Sequence, residues 1–390
     1  MEEQRYIQAA IVDDLPAKMV FVAGPRQVGK TTLAQQILAT TDHGLYLNWD
    51  NRADRRDIRV ARWPGRPALV VLDELHKWRG WKSWLKGEYD AHRPATRFLV
   101  TGSARLDVYR RGGDSLQGRY HHYRLHPFSH NEVRGVGLST TFTPGQELRI
   151  GDGSREIVRA LMQYGGFPEP FFAQSVRTHR RWQKERLDRF VREDVRDLEA
   201  IRDLSSLEHL AELLPERVAS PLSLNALRED LDVSHRALTH WVDILERLYY
   251  IARIRPFESR AVRSLRKMSK AYLWDWSQVT APGPRFENLI ALHLLKLCHF
   301  LQDRDGHAVD LRDLRDRTGR EVDFLLTVKG KPWLAVEAKL SGTGIHPALI
   351  YFRDRLKIPY VYQVVLDAER DFVEAGVRCV PAADFLAALV

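Results

Sequence analysis

An α/β fold with a parallel sheet covered by helices is predicted for the first third of this 390-residue chain, and three observations predict it. Short apolar runs alternate with polar, helix-like stretches through about residue 135. The run Met19–Ala23 leads into Gly24-x-x-x-x-Gly29-Lys30-Thr31, with helix-like sequence from Leu33 to Leu38 beyond it. A second run, Ala68 to Leu72, ends on the acid pair Asp73-Glu74.

Strand, glycine loop and helix together make a complete P-loop. The glycines let the backbone curl so that its N–H groups point at phosphate oxygens, and the following helix presents its positive end to them. Gly24, Gln27, Val28, Gly29, Lys30, Thr31 and Thr32 are the candidate nucleotide contacts. Lys30 would reach the β- and γ-phosphates, and the Thr31 hydroxyl would ligate Mg²⁺. Asp73 would hold that ion through water, and Glu74 would polarise the attacking water. ATP and Mg²⁺ are therefore the expected cofactors, and nucleotide hydrolysis the expected chemistry.

The remaining strands of this core are expected at Gly44–Asn48, Arg97–Thr101 and Tyr120–Leu125. Phe98-Leu99-Val100-Thr101-Gly102-Ser103 is a buried run ending in hydroxyls. If its strand lies between the two just described, Thr101 or Ser103 would contact the γ-phosphate or the lytic water. Arg119, in Gly118-Arg119-Tyr120, is the expected arginine at the transition-state charge, since the preceding glycine permits close approach to phosphate. Trp78, Trp81 and Trp84 read as one packed helix face. His121, His122, His126 and His130 lack a compact ligand arrangement and read as incidental.

A chain of this length is long for one core, and its 44% hydrophobic content describes a globular protein. The net charge of +9 favours an anionic partner. Two cysteines, Cys298 and Cys379, supply neither a disulfide framework nor a cysteine zinc site. The N-terminal MEEQRYIQAA, acidic at its start and without a long apolar core, is not expected to act as a secretory signal. No apolar run approaches the roughly 20 residues that span a bilayer, so a cytoplasmic protein without membrane contact is expected.

Three domains are expected: 1–138, 155–276 and 277–390. Residues 139–155, rich in Thr, Gly and Ser, read as a linker. Helical pattern from Arg155 to about Ser220 is broken once at Gly165-Gly166-Phe167-Pro168. Next come a short helix at Ser223–Leu231, a turn at Asp232-Val233-Ser234 and a longer helix at His235–Leu248. Strands at Tyr249–Ile254 and Ala271–Trp276 flank a basic loop, so the order is that of a winged helix. Residues 253–270 carry Arg253, Arg255, Arg260, Arg263, Arg266, Lys267 and Lys270 against one acid, Glu258. In a wing these would lie along a phosphate backbone, with His235, Arg236 and His240 facing a groove. DNA is the expected partner. A protein partner at the winged helix and a second copy of this chain are the other partners left open.

In the last block, Arg320-Glu321-Val322-Asp323-Phe324 opens one strand, and Val336-Glu337-Ala338-Lys339 closes another. Strand alternation puts Glu337 and Lys339 on one face, which Asp323 would share from its neighbour. Glu287, on the helix beginning at Phe286, is the fourth candidate. Carboxylates at Glu287, Asp323 and Glu337 would hold Mg²⁺, with Lys339 offsetting developing charge. This is the arrangement of PD-(D/E)xK nucleases, and it predicts an α/β, restriction-endonuclease-like terminal domain.

With GPRQVGKTT, VVLDE, FLVTGS, LQGRY, HPFSHNE, YGGFPEP, EVDF and VEAK in place, the chain resembles prokaryotic AAA-superfamily ATPases with a C-terminal domain of unknown function. The resemblance runs from about residue 5 to 385. It implies an ATPase core, a helical and winged-helix middle and a nuclease-like end. Lys30, Thr31, Asp73 and Glu74 carry over as nucleotide and Mg²⁺ residues, and Arg119 as a motif position. Ala104 departs from the hydroxyl that relatives often show there. The reading that results is a Mg²⁺-dependent ATPase that binds DNA and cleaves or processes it. The alternative is an ATP-controlled DNA-binding switch, or a regulatory ATPase, whose nuclease-like domain does not cut.

Overall fold

The computed structural model describes residues 4–390 except 64, 66, 103–115, 136–141, 196–202, 259–267 and 343, and only the backbone of 192–194. The chain divides into two compact units. Met1–His126 with Arg247–Tyr249 forms the first, and Pro127–Glu246 with Tyr250–Val390 the second.

The first unit is built on five parallel strands: β1 Met19–Ala23, β2 Gly44–Asn48, β3 Leu69–Asp73, β4 Arg97–Thr101 and β5 Tyr120–Arg124. Their order is β2-β3-β4-β1-β5. Every residue of β1 and β3 is buried, as an apolar strand covered by helices on both faces requires. The helices are α1 (Gln8–Asp14), α2 (Lys30–Ala39), α3 (Arg52–Arg59) and α4 (Trp81–His92). The tryptophans expected to pack do so, but not as one helix face: Trp81 and Trp84 lie on α4, while Trp78 precedes it. Trp81 joins the core with Phe21 and Phe98, while Trp78 stacks on Trp49 at 5.0 Å and tilts against Trp84 at 5.5 Å. Because all five strands run the same way, their C-terminal ends share one edge of the sheet. The P-loop, Asp73 and Thr101 all lie on that edge.

The second unit begins with a short helix at His130–Arg134 and continues with helices at Arg155–Tyr164, Pro168–Ala173, Val176–Arg189 and Leu204–Leu213, broken where Gly165-Gly166-Phe167-Pro168 turns the chain. Helices Leu224–Leu231 and His235–Arg247 follow, then β6 (Ile251–Pro256) and β7 (Lys270–Leu273), paired antiparallel. The hairpin does not stand apart. β6 also pairs with β8 (Val309–Arg315), through Arg255 with Arg312 and Pro256 with Asp313. One eight-stranded sheet therefore runs β12-β13-β11-β10-β9-β8-β6-β7, with β9 Glu321–Val328, β10 Lys331–Lys339, β11 Tyr360–Val365, β12 Phe372–Glu374 and β13 Val377–Pro381. Across the expected boundary at 276/277 the backbone ladder is continuous from hairpin to terminal strands.

The helix Pro282–Asp305 packs over β7, β8, β9 and β10. It is apolar nearly all round, with Phe286, Leu289, Ile290, Leu294, Leu297 and Leu301 buried, and Pro at its first turn with Gly306 after its last residue fix its ends. The helix Pro347–Leu356 contributes Ala348, Leu349 and Phe352 to a core with Val322, Leu325, Ala335 and Val361. Among the described residues, no helix is long and apolar enough to cross a membrane.

Candidate functional site

In the first unit, the loop after β1 shows why glycine is needed at its start. Gly24 has φ +151°, and a Cβ there would stand 2.5 Å from the carbonyl oxygen of Leu125. The β1–β5 ladder continues at this point, with Leu125 N donating to Ala23 O at 2.8 Å. Gln27 (φ 61°) and Gly29 (φ 97°) complete the left-handed curl, and Gly29 caps α2. Val28 is buried and its carbonyl accepts from Arg5 Nη1 at 2.7 Å, while Arg5 Nη2 donates to His126 O at 2.5 Å. The segment before α1 thus ties the loop to the end of β5. Lys30, buried at the first turn of α2, donates to the carbonyls of Gly24 (3.1 Å) and Pro25 (2.6 Å). Thr31 and Thr32 are exposed at the mouth of the loop.

β4 lies between β1 and β3, the placement on which the Thr101 reading depended. Asp73 therefore sits beside Thr101, in register. The Asp73 carboxylate, 3% exposed, accepts three hydroxyls: Thr31 at 2.7 Å, Thr101 at 2.5 Å and Tyr46 at 2.8 Å. Thr101 here holds Asp73. Ser103, the other candidate, lies outside the described residues. Tyr46 was not anticipated. Burial, and then Asp73 beside it, raise its phenol pKa, so it stays a donor. Nothing in its local sequence but its position one strand from Asp73 could have pointed to it. The Thr31–Asp73 pair suits a Mg²⁺ ion, which takes oxygen ligands and keeps several waters.

Glu74 follows in a left-handed conformation, φ 57°, unusual for a non-glycine residue and often met at functional positions. Its N–H donates to Thr101 O at 3.0 Å, which fixes the turn. Its carboxylate lies 3.1 Å from Lys77 Nζ and 3.7 Å from His76 Nε2, and Lys77 in turn bonds Asp50 at 2.5 Å.

Arg119 requires a correction. It precedes β5, and its carbonyl accepts from Met19 N at 3.1 Å, so it lies at the N-terminal edge of the sheet. Five strand residues, about 17 Å, separate that edge from the P-loop end. Its guanidinium makes a two-pronged pair with Asp90, at 2.9 and 3.1 Å. An arginine so placed does not reach the phosphate site of its own chain.

In the second unit, β9 and β10 bring Asp323 and Glu337 together. Glu337 Oε2 accepts from Asp323 N at 3.2 Å, and Asp323 Oδ2 from Ala338 N at 3.0 Å. Both line a cavity of about 460 Å³ with Glu321, Arg320 and His346. Lys339 pairs with Glu337 at 2.6 Å, as strand alternation requires. Burial first, then Asp323 alongside, push Glu337 up to about 7 and Glu287 up to about 8.

Lys270 occupies the middle of this cluster. It was expected on a DNA-facing wing, but it is 2% exposed, with Nζ 2.6 Å from Glu321, 3.0 Å from Glu287 and 3.4 Å from Asp323. Burial pulls its pKa down, and Asp323, Glu287 and Glu321 more than reverse that. Tyr272, two residues on, donates to Glu287 at 2.7 Å. Arg253 is likewise drawn inward, to Glu246 at 2.9 Å and Asp243 at 2.7 Å. Arg255, His235, Arg236 and His240 are exposed. Arg260, Arg263, Arg266 and Lys267 lie outside the described residues. The metal set expected from Glu287, Asp323 and Glu337 is not realised. Among the described residues, no three His, Cys, Asp or Glu side chains are arranged to hold a metal ion.

Residues 16–134 match the family model described as AAA domain. In this stretch the chain is similar to AAA domains. Residues 155–281 match a domain of unknown function, DUF8612. Uncharacterized proteins of Mycobacterium tuberculosis and Mycobacterium bovis are 23% identical over 261 residues, 66% of this chain and 54% of theirs. The match therefore spans about half the length of those curated relatives. Among solved structures, a Walker-type ATPase of Pyrococcus abyssi is similar with TM-score 0.43 and 15% identity, over 72% of this chain and 95% of that one. The Orc1 protein of Aeropyrum pernix, in complex with DNA, is similar with TM-score 0.34 and 15% identity, over 75% and 94%.

Proposed function

We propose that this protein is a Mg²⁺-dependent ATPase whose nucleotide cycle governs contact with DNA. The observation that carries the ATPase reading is the edge where β1, β4 and β3 end side by side. There one carboxylate, Asp73, gathers the hydroxyls of Thr31, Thr101 and Tyr46. The P-loop amides and the start of α2 would cradle the phosphates of ATP, and Lys30 would exchange its two carbonyl partners for the β- and γ-oxygens. Thr31 and Asp73 would hold Mg²⁺, which supplies charge neutralisation at the phosphates. Glu74 would orient the attacking water once its carboxylate leaves Lys77.

Lys30→Ala is expected to abolish nucleotide binding. Glu74→Gln is expected to keep binding and lose turnover, because an amide does not polarise water as a carboxylate does. Wild-type turnover in Glu74→Gln would remove Glu74 from that role.

The DNA reading is supported by the helix, turn, helix and hairpin order from Leu224 to Leu273, read as a winged helix, and by the surplus of basic residues in 253–270. Charge reversal at Arg263, Arg266 and Lys267 is expected to weaken DNA affinity across sequences and flatten its salt dependence. An unchanged salt slope would move this region to a protein partner.

For the terminal domain, we read a nuclease-like fold that grips without cutting. What favours this over cleavage is the ammonium of Lys270 among the acids. Cleavage keeps one supporting observation, the convergence of Asp323 and Glu337 on a shared cavity. Loss of Mg²⁺-dependent DNA cutting in Asp323→Ala, with ATPase activity intact, would decide for cleavage.

A further inference from the structure

We propose that Lys270 is the built-in cation of the terminal acid cluster, standing where a nuclease-like centre would place a divalent ion. The inference rests on the nuclease-like reading of the terminal fold and adds to it the residue that holds the centre closed to metal.

The geometry is specific. A lysine ammonium has three N–H donors and no acceptor. Lys270 has three carboxylates within 3.4 Å: Glu321, Glu287 and Asp323. These acids come from the helix Pro282–Asp305 and from β9, and the lysine comes from the hairpin strand β7. Three elements thus meet on one nitrogen, with Asp323 reached across 53 residues of chain. At 2% exposure Lys270 is not a surface residue in chance contact with acids. An unpaired ammonium buried this deeply would be strongly destabilising, so the pairing is required by the fold.

The acids nearest the cavity are also committed. Asp323 places Oδ2 on Ala338 N and Oδ1 toward Lys270. Glu337 places Oε2 on Asp323 N and Oε1 on Lys339. A Mg²⁺ or Mn²⁺ ion ligated by Asp323 and Glu287 would lie about 2.0–2.1 Å from their oxygens. That brings it against an ammonium already bonded to the same two groups, and like charges so close cannot share the site. Either Lys270 or the ion occupies the position. Lys270 is thus a positioning residue: it sets the carboxylate geometry and displaces metal, and it is the last residue of the basic stretch 253–270.

The test counts bound Mn²⁺ on the full chain, carrying Lys30→Ala to silence the nucleotide site, by equilibrium dialysis with electron paramagnetic resonance of the free ion. The chain with Lys270 is expected to retain no ion at the terminal cluster. Lys270→Met is expected to gain one, which Asp323→Asn then removes, with Mn²⁺ affinity at least tenfold tighter than in the parent. Lys270→Arg, which keeps the charge, is expected to gain none. If Lys270→Met fails to fold, Lys270→Met with Glu321→Gln removes the carboxylate nearest the lost ammonium, leaves Asp323 and Glu287 in place, and is read the same way. The proposal is overturned if the Lys270-bearing chain binds a Mn²⁺ that Asp323→Asn removes, or if folded Lys270→Met chains bind none. A DNA-cleavage assay on the same proteins separates the two readings. Mn²⁺ binding and cutting with Lys270 present would sink the Lys270 role and keep the nuclease. A gained ion without cutting would keep Lys270 and remove cleavage. Folded variants that neither bind Mn²⁺ nor cut would remove both.

Discussion

Gly24→Ala tests the geometry of the nucleotide loop more sharply than any change to a charged side chain, because its effect is fixed by backbone alone. The added methyl group meets two obstacles. A φ of +151° lies in a region that L side chains rarely adopt, and the Cβ falls 2.5 Å from Leu125 O, a backbone atom that cannot rotate away. Relief requires either moving the P-loop or opening the bond from Leu125 N to Ala23 O. Backbone strain of about 1–3 kcal/mol, with about 0.5–1.5 for the hydrogen bond, gives a combined penalty of about 1.5–4.5 kcal/mol. It should divide between two readouts, the urea midpoint and the dissociation constant of a fluorescent ATP analogue. If the loop yields, ATP affinity falls by one to three decades and stability holds; if the strand end yields, stability falls instead. Gly118→Ala is the internal control, since its φ of +81° is also positive but nothing lies within 4 Å of the new methyl group. It should cost only the left-handed strain, about 1–2 kcal/mol, and leave ATP affinity unchanged. A Gly24→Ala chain with wild-type midpoint and affinity would refute the close approach of β5 to the loop.

Tyr46→Phe removes one of three hydroxyls from Asp73, and a part-buried bond to a charged acceptor is worth about 1.5 kcal/mol at the lower end of its range; a stability loss near that figure, with a raised Mg²⁺ requirement for ATP turnover, is expected, and no change in either would detach Tyr46 from the site. Arg119→Ala is expected to leave the turnover of its own chain within about twofold, since Arg119 sits about 17 Å from the P-loop edge; a large loss that mixing with Lys30→Ala chains restores would instead show it acting on a neighbouring copy. The raised pKa of Glu287, about 8, predicts a pH slope in stability: between about 4.5 and 8 the folded state keeps a proton that the unfolded chain releases, so stability falls as pH rises through that window. Denaturant titrations at pH 5 to 8 should show this fall flattened in Glu287→Gln, and equal slopes would locate the proton elsewhere.

The first unit was legible in the sequence for a physical reason. A parallel strand buried on both faces is an unbroken apolar run, and the candidate site lies where such runs stop. Val20, Val22, Val70 and Leu72 announce their strands, while Gly24 and Asp73 mark the ends by chemistry that only an edge position needs. Arg119 was misplaced because a glycine before an arginine says nothing about which end of the strand it precedes. In a parallel sheet that is the whole question: Gly24 follows β1 and Arg119 precedes β5. Tyr46 escaped notice because its partner Asp73 is a neighbour across strands, and strand order is not written in local pattern.

The terminal half was legible in its strands and not in its charges. Alternation gave Glu337 and Lys339 one face, and the EVDF run gave Asp323 its strand. Alternation would also have put Glu321 on the face of Asp323, two residues away. Lys270 was read by the company it keeps in sequence, at the end of a stretch with six other basic residues, and so was assigned to solvent and phosphate. Its place is decided by pairing: β6 joins β8 through Arg255 with Arg312 and Pro256 with Asp313. β7 pairs with β6 and packs against the helix Pro282–Asp305, and the Lys270 side chain reaches Glu287 rather than water. The same contact joins the two functions the region was expected to keep apart. A hairpin read as a DNA contact and an acid cluster read as a nuclease share one ammonium, that of Lys270.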